Sequence, residues 1–94
     1  MRTRRLGDLI PLHSPGMNPI VERSLRRMSD AELMESVFRP TNGDFLTVRP
    51  EENQLIDGIT RYYEMVRRMQ LNPTGVFHAD LEIPIQVIPR LPLP

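Results

Sequence analysis

Residues 54–68 read "QLIDGITRYYEMVRR", and the chemistry they offer is anion binding. An apolar, strand-like segment ends at Asp57-Gly58, and an amphipathic helical pattern with Arg61 in its first turn follows directly. Glycine takes backbone conformations that other residues resist and lets a ligand approach the main chain closely. A helix starting there presents unpaired N–H groups and the positive end of its dipole, both of which favour an anion. Arg61 adds a guanidinium suited to a bidentate, charge-assisted contact with phosphate. The same residues also make an ordinary strand-to-helix connection. Asp57 suits a water-mediated magnesium contact but equally a turn or cap, and the turn is the favoured reading. The Thr60 hydroxyl serves phosphate binding and helix capping alike.

The elements that must position this turn follow from the patterning. "RRLGDLIPLH" reads as a short first strand ending at Pro11, with Leu6, Leu9 and Ile10 as its apolar content. "HSPGMNPIVE" is dense in turn formers and reads as loop or turn, so a short loop or helical turn is expected after the first strand. "MSDAELMESVF" predicts a helix: Ser29 caps it, Glu32 reaches back, and Leu33, Met34 and Val37 form its buried face. Pro40 limits its extension. "FLTV" and "QLID" predict an antiparallel hairpin, with Pro50 as a stop and "EEN" as a turn. In the helix after Gly58, residues Ile59, Tyr62, Val66 and Met69 form the apolar stripe. Glu64 and Arg68 form an i,i+4 pair expected on its exposed side. "EIPIQVIP" is a last strand and residues 89–94 an extended tail. The fold class expected is α+β, a small mixed sheet with helices in the order β-α-β-β-α-β.

Composition bounds what such a domain does. Ninety-four residues make one small domain, with a core expected over about residues 6–88. No cysteine is present, which excludes disulfides, thiolate metal sites and cysteine nucleophiles. His13 and His78 lack metal-ligand spacing, so no metal site is expected on them. No apolar run is long enough to cross a bilayer, and Asp8 and Pro11 interrupt any signal-like stretch at the start. The expectation is a cytoplasmic protein without membrane association. Net charge is zero, which argues against a domain whose whole surface grips nucleic acid. Charge is nonetheless segregated: residues 1–28 carry six arginines against two acids, +4, and residues 29–57 carry two against seven, −5. All 12 basic residues are arginine, as GC-rich coding bias would give, yet each has the geometry for bidentate contacts. Arg26 and Arg27 read as surface charge, and Tyr62 and Tyr63 as helix core and rim. Met17, Met28, Met34, Met65 and Met69 read as gap-filling residues.

Taken in order, these segments resemble the N-terminal domain of the ParB/sulfiredoxin superfamily. The residues that carry the likeness are Asn18-Pro19 with Arg23, the helix end Glu35-Ser36-Val37, "NGDFLTVRP", "LIDGITR" and "IPIQV", across nearly all of residues 6–88. The resemblance implies a phosphate pocket at Gly58, Thr60 and Arg61 facing a loop with Asn18 and Arg23. It further implies CTP, ATP or ADP with magnesium as ligand. On that pocket loop Glu22 is the plausible general base, with Asp57 as the other weak catalytic candidate. There are also departures. Ile59 stands where sulfiredoxins have their catalytic cysteine, which excludes sulfinic acid repair by that chemistry. Ile59 and Thr60 stand where the free-serine kinases have paired histidines, and ParB's Glu and first Arg are missing here. The stretch from Leu71 to Glu82 is longer than the family's usual link. Three functions follow as expectations: a stand-alone ParB-like domain binding a nucleotide or phosphate ligand as a switch or accessory module, a small-molecule phosphotransferase, or a DNA-associated protein. A homodimer or a protein partner is compatible with any of them, and whether the chain is an enzyme stays open.

Overall fold

The computed structural model describes residues 2–16, 18–49 and 53–88. It contains strands β1 (Arg2–Arg5), β2 (Ile10–Pro11), β3 (Leu46–Val48), β4 (Gln54–Asp57) and β5 (Glu82–Val87). Three helices accompany them: α1 (Pro19–Arg26), α2 (Asp30–Phe38) and α3 (Ile59–Leu71). The strands form one mixed sheet in the order β1-β5-β3-β4-β2. β1 runs antiparallel to β5 and β3 antiparallel to β4, whereas β5–β3 and β4–β2 are parallel. The expected β3–β4 hairpin is present, with an irregular register between Thr47 and Val48. Its expected stop at Pro50 and turn at Glu51 and Glu52 lie outside the described residues, as do Met17 and the tail at 89–94.

The α+β class holds, but the element order is β-β-α-α-β-β-α-β rather than β-α-β-β-α-β. The first correction is that the N-terminal "strand" is two strands on opposite edges of the sheet, joined through a single 3-10 turn at Leu6–Asp8. Leu6 and Leu9 are both buried, and a spacing of three suits a helical turn where an alternating strand would send them to opposite faces. Gly7 allows the turn to pass close to the chain at Ala79: a Cβ there would lie 3.1 Å from the Ala79 Cβ. Ile10, read as apolar strand content, is exposed.

The second correction concerns the short loop or helical turn expected across "HSPGMNPIVE", where a full helix of eight residues begins. The latter part of that segment opens α1, because Asn18-Pro19 is a helix start. The Asn18 side chain accepts from the Val21 N–H at 3.3 Å, and Pro19 fills the first position, where a missing N–H costs nothing. α2 begins as expected, with both reciprocal hydrogen bonds of the Ser29–Glu32 capping box formed.

The core gathers Leu6, Leu9, Leu33, Val37, Leu46, Val48, Leu55, Met65, Phe77, Ile83 and Ile85. On α3 the stripe centres on Ile59 and Met65, while Tyr62, Val66 and Met69 pack around its margin. Glu64, expected on the exposed side, is instead 5% exposed. It is buried because it is neutralised: Arg67 grips it with two hydrogen bonds of 2.9 and 2.7 Å, and Arg68 Nε adds a third at 2.7 Å. Arg68 also donates to the Leu25 and Met28 carbonyls and pairs with Asp30 at 2.8 Å. One guanidinium thereby ties the end of α1 and the start of α2 to α3.

Candidate functional site

The β4–α3 turn is built around Gly58. Its φ of 81° is left-handed, a region that a side chain makes costly. A Cβ at this position would fall 2.8 Å from Leu46 Cγ and 3.1 Å from an Arg61 guanidinium nitrogen. Crowding and conformation together make glycine necessary. The Gly58 N–H donates to Asp57 Oδ1 at 2.9 Å, so the aspartate acts as the turn residue that the sequence favours. The Gly58 carbonyl accepts the first α3 hydrogen bond, from Tyr62. No side chain caps α3, and its first turn carries no acidic residue. The N–H groups at that end are thus presented with the dipole's positive pole unmatched by its own helix.

Arg61 occupies the first turn, but its guanidinium has structural duties. Nη1 donates to the Ser36 carbonyl and Nη2 to the Asp44 carbonyl, both at 2.7 Å, and the Asp44 carboxylate lies 3.8 Å away. The side chain is 13% exposed. Burial lowers its pKa, and the neighbouring charges of Asp44 and Asp57 oppose that shift. Arg61 therefore fastens the end of α2 and the approach to β3 onto the turn, and supplies positive charge beneath it.

A groove of about 550 Å³ opens over this turn, between α1 and the start of α3. Asn18, Asp57, Gly58, Thr60 and Arg61 all line it, so five of the residues singled out from the sequence come together. Arg23 does not join them. The groove-lining positions of α1 are Asn18, Val21 and Leu25, and Arg23 is exposed away from that row. Glu22 lines a neighbouring groove of about 360 Å³, its carboxylate accepting from the Gly16 N–H at 2.7 Å. Thr60 lines both grooves.

Two groove residues were not legible as such. Asp44 is brought in by the chain leading to β3, with only a turn composition to mark it. His13 lies on the wall because the Tyr63 hydroxyl holds its carbonyl at 2.7 Å. Among the described residues no group of three or more His, Cys, Asp or Glu is placed to hold a metal ion, and no helix is long and apolar enough to cross a membrane. Compared with protein-family models, curated proteins and solved structures, the chain matches none of them.

Proposed function

We propose that this chain binds a phosphate-bearing ligand, in its leading form a nucleotide, at the β4–α3 turn, as a ParB-like switch or accessory module. The observation that carries the reading is the uncapped start of α3, opened by left-handed Gly58 into a groove that also holds Asn18, Thr60 and Arg61. Backbone N–H groups and the helix dipole bind the anion, Thr60 adds a hydroxyl, and Arg61 contributes charge from beneath. Absence of a Cβ at Gly58 lets Leu46 and the Arg61 guanidinium pack directly beneath the turn.

Two further residues of the groove, Asp44 and Asp57, would hold magnesium alongside a bound phosphate. Magnesium is usually held by one or two carboxylates together with phosphate oxygens and water, and Asp44 and Asp57 are the two carboxylates on this groove. When bound, the ion would neutralise phosphate charge that these two acids otherwise repel. CTP, ATP and ADP with magnesium are the ligands to try first. Asp57 also supports a second reading, a phosphotransferase acting on a hydroxylated small molecule, because it lines the groove with one carboxylate oxygen not used by the Gly58 N–H. That reading requires nucleotide turnover when an acceptor is added, and absence of turnover with amino acids and sugars removes it.

Arg61→Ala is a poor test, since it also breaks the bonds to Ser36 and Asp44. Thr60→Glu is better. An acid in the first turn stabilises a helix while placing negative charge in the anion seat. Calorimetric titration with CTP, ATP, ADP and GTP, each with magnesium, should show binding to the wild type and loss of at least about tenfold in Thr60→Glu, with an unchanged or higher Tm. Absence of binding to the wild type, or equal binding by the variant, overturns the proposal.

A further inference from the structure

Arg23, Arg26 and Arg27 stand close together in the sequence, and the groove over the β4–α3 turn uses none of them. Helical spacing explains where they go. α1 sends Val21 and Leu25 into that groove, and Leu25 is buried. Ile20, Arg23 and the C-cap residue Arg27 recur at intervals of three and four on the opposite side. They form one outward row about 10 Å long, with Arg26 on its flank. Ile20 is 77% exposed, and all three arginines are exposed.

These arginines differ from those that build the fold. Arg5, Arg61, Arg67 and Arg68 are each paired with an acid, whereas Arg23, Arg26 and Arg27 enter no ion pair among the described residues. Their guanidiniums hold no other element in place. The face therefore offers planar donors for bidentate contacts, beside an apolar side chain that the fold leaves outside.

The surroundings select among anionic partners. The first turn of α2 carries Asp30 and Glu32 and starts three residues beyond Arg27, so the basic face is short and bounded by acids. A nucleic-acid duplex presents a phosphate charge about every 1.7 Å along its axis. Its backbone would run past the arginines toward those acids, and phosphates make no use of Ile20. An anionic bilayer recruits clusters of about four to eight basic residues or a broad apolar face, and one isoleucine among three arginines supplies neither. A few carboxylates next to an apolar side chain match the face in both charge and extent.

We infer that the outer face of α1 docks an acidic segment of another protein, with carboxylates on Arg23, Arg26 and Arg27 and an apolar side chain against Ile20. This surface is independent of the phosphate seat, because α1 turns a different side to the groove.

The probe is a labelled helical peptide with glutamates one turn apart and a leucine one turn before them, titrated at low ionic strength. Wild type should bind it saturably, more weakly as salt rises, and should not bind the same peptide with glutamine for glutamate. Arg23→Gln with Arg27→Gln should lose about fivefold or more in affinity, with Tm unchanged because neither side chain holds the fold. Ile20→Ser should weaken binding separately. Arg23→Glu with Arg27→Glu should instead bind a peptide carrying arginine in place of glutamate. Absence of saturable binding by wild type, or equal binding by the glutamine variant, overturns the inference. So does tighter binding of duplex DNA or phosphatidylserine vesicles than of the acidic peptide, or self-association of the chain that the same variant abolishes.

Discussion

At the scale of single residues, Gly58 and Glu64 carry the strongest constraints. Gly58→Ala forces a side chain into a left-handed backbone and against Leu46. The expected cost is about 2 kcal/mol, measured as a shift in the denaturant midpoint. Glu64 is held the opposite way, by partners. Burial alone would raise its pKa, but the hydrogen bonds and charges of Arg67 and Arg68 outweigh it and leave the pKa below the ordinary carboxylate value. A depressed folded pKa means stability that is fully present above the unfolded value, roughly pH 4.3, and lost as pH falls through the lower folded value. Glu64→Gln should accordingly destabilise by about 3 kcal/mol at neutral pH. It should also flatten the acid limb of the stability profile, and an unchanged limb would show that Glu64 does not set it. The sequence offered Glu64 and Arg68 as an exposed i,i+4 pair because spacing says nothing about which helix faces are covered. Burial here depends on Arg68 reaching carbonyls about forty positions away, which periodicity cannot reveal.

At the scale of elements, legibility followed the range of the interactions. The α2 capping box is written within four residues, and both of its bonds are found where expected. Ser29→Ala should lower stability by about 1 kcal/mol, read from thermal or denaturant melts. The β3–β4 hairpin and the β4–α3 turn are equally local and were equally readable. The N-terminal strand was not. Its division between two sheet edges depends on Gly7 passing Ala79 and on Leu6 accepting a place under the segment before β5, since the Leu6 N–H donates to the Leu81 carbonyl at 2.9 Å. The length of α1 was hidden for another reason: Asn-Pro is both a turn signal and a helix start, so the segment read as no more than a short loop or helical turn. Both edge strands carry protection against pairing with other chains. β1 is rich in arginine, and β2 ends in Pro11, which cannot donate a ladder hydrogen bond.

At the scale of the whole molecule, the sheet and helices converge on the N-terminus of α3. α1 crosses it, β4 feeds it, and Arg61 binds it to α2 and to the approach to β3. The strand-to-helix turn was legible from Gly58 and the helical pattern after it. The groove over it was not, because Asp44 and His13 arrive from other parts of the chain. The central claim is that α3's first N–H groups bind phosphate, and amide chemical shifts report on those groups directly. Adding magnesium ATP, then CTP, to the isotope-labelled protein should shift the Ile59, Thr60 and Arg61 amide resonances saturably, with Gly58 following. Saturable shifts confined to other segments, or none at all with either nucleotide, would contradict the account and make "DGITR" a strand-to-helix connection alone.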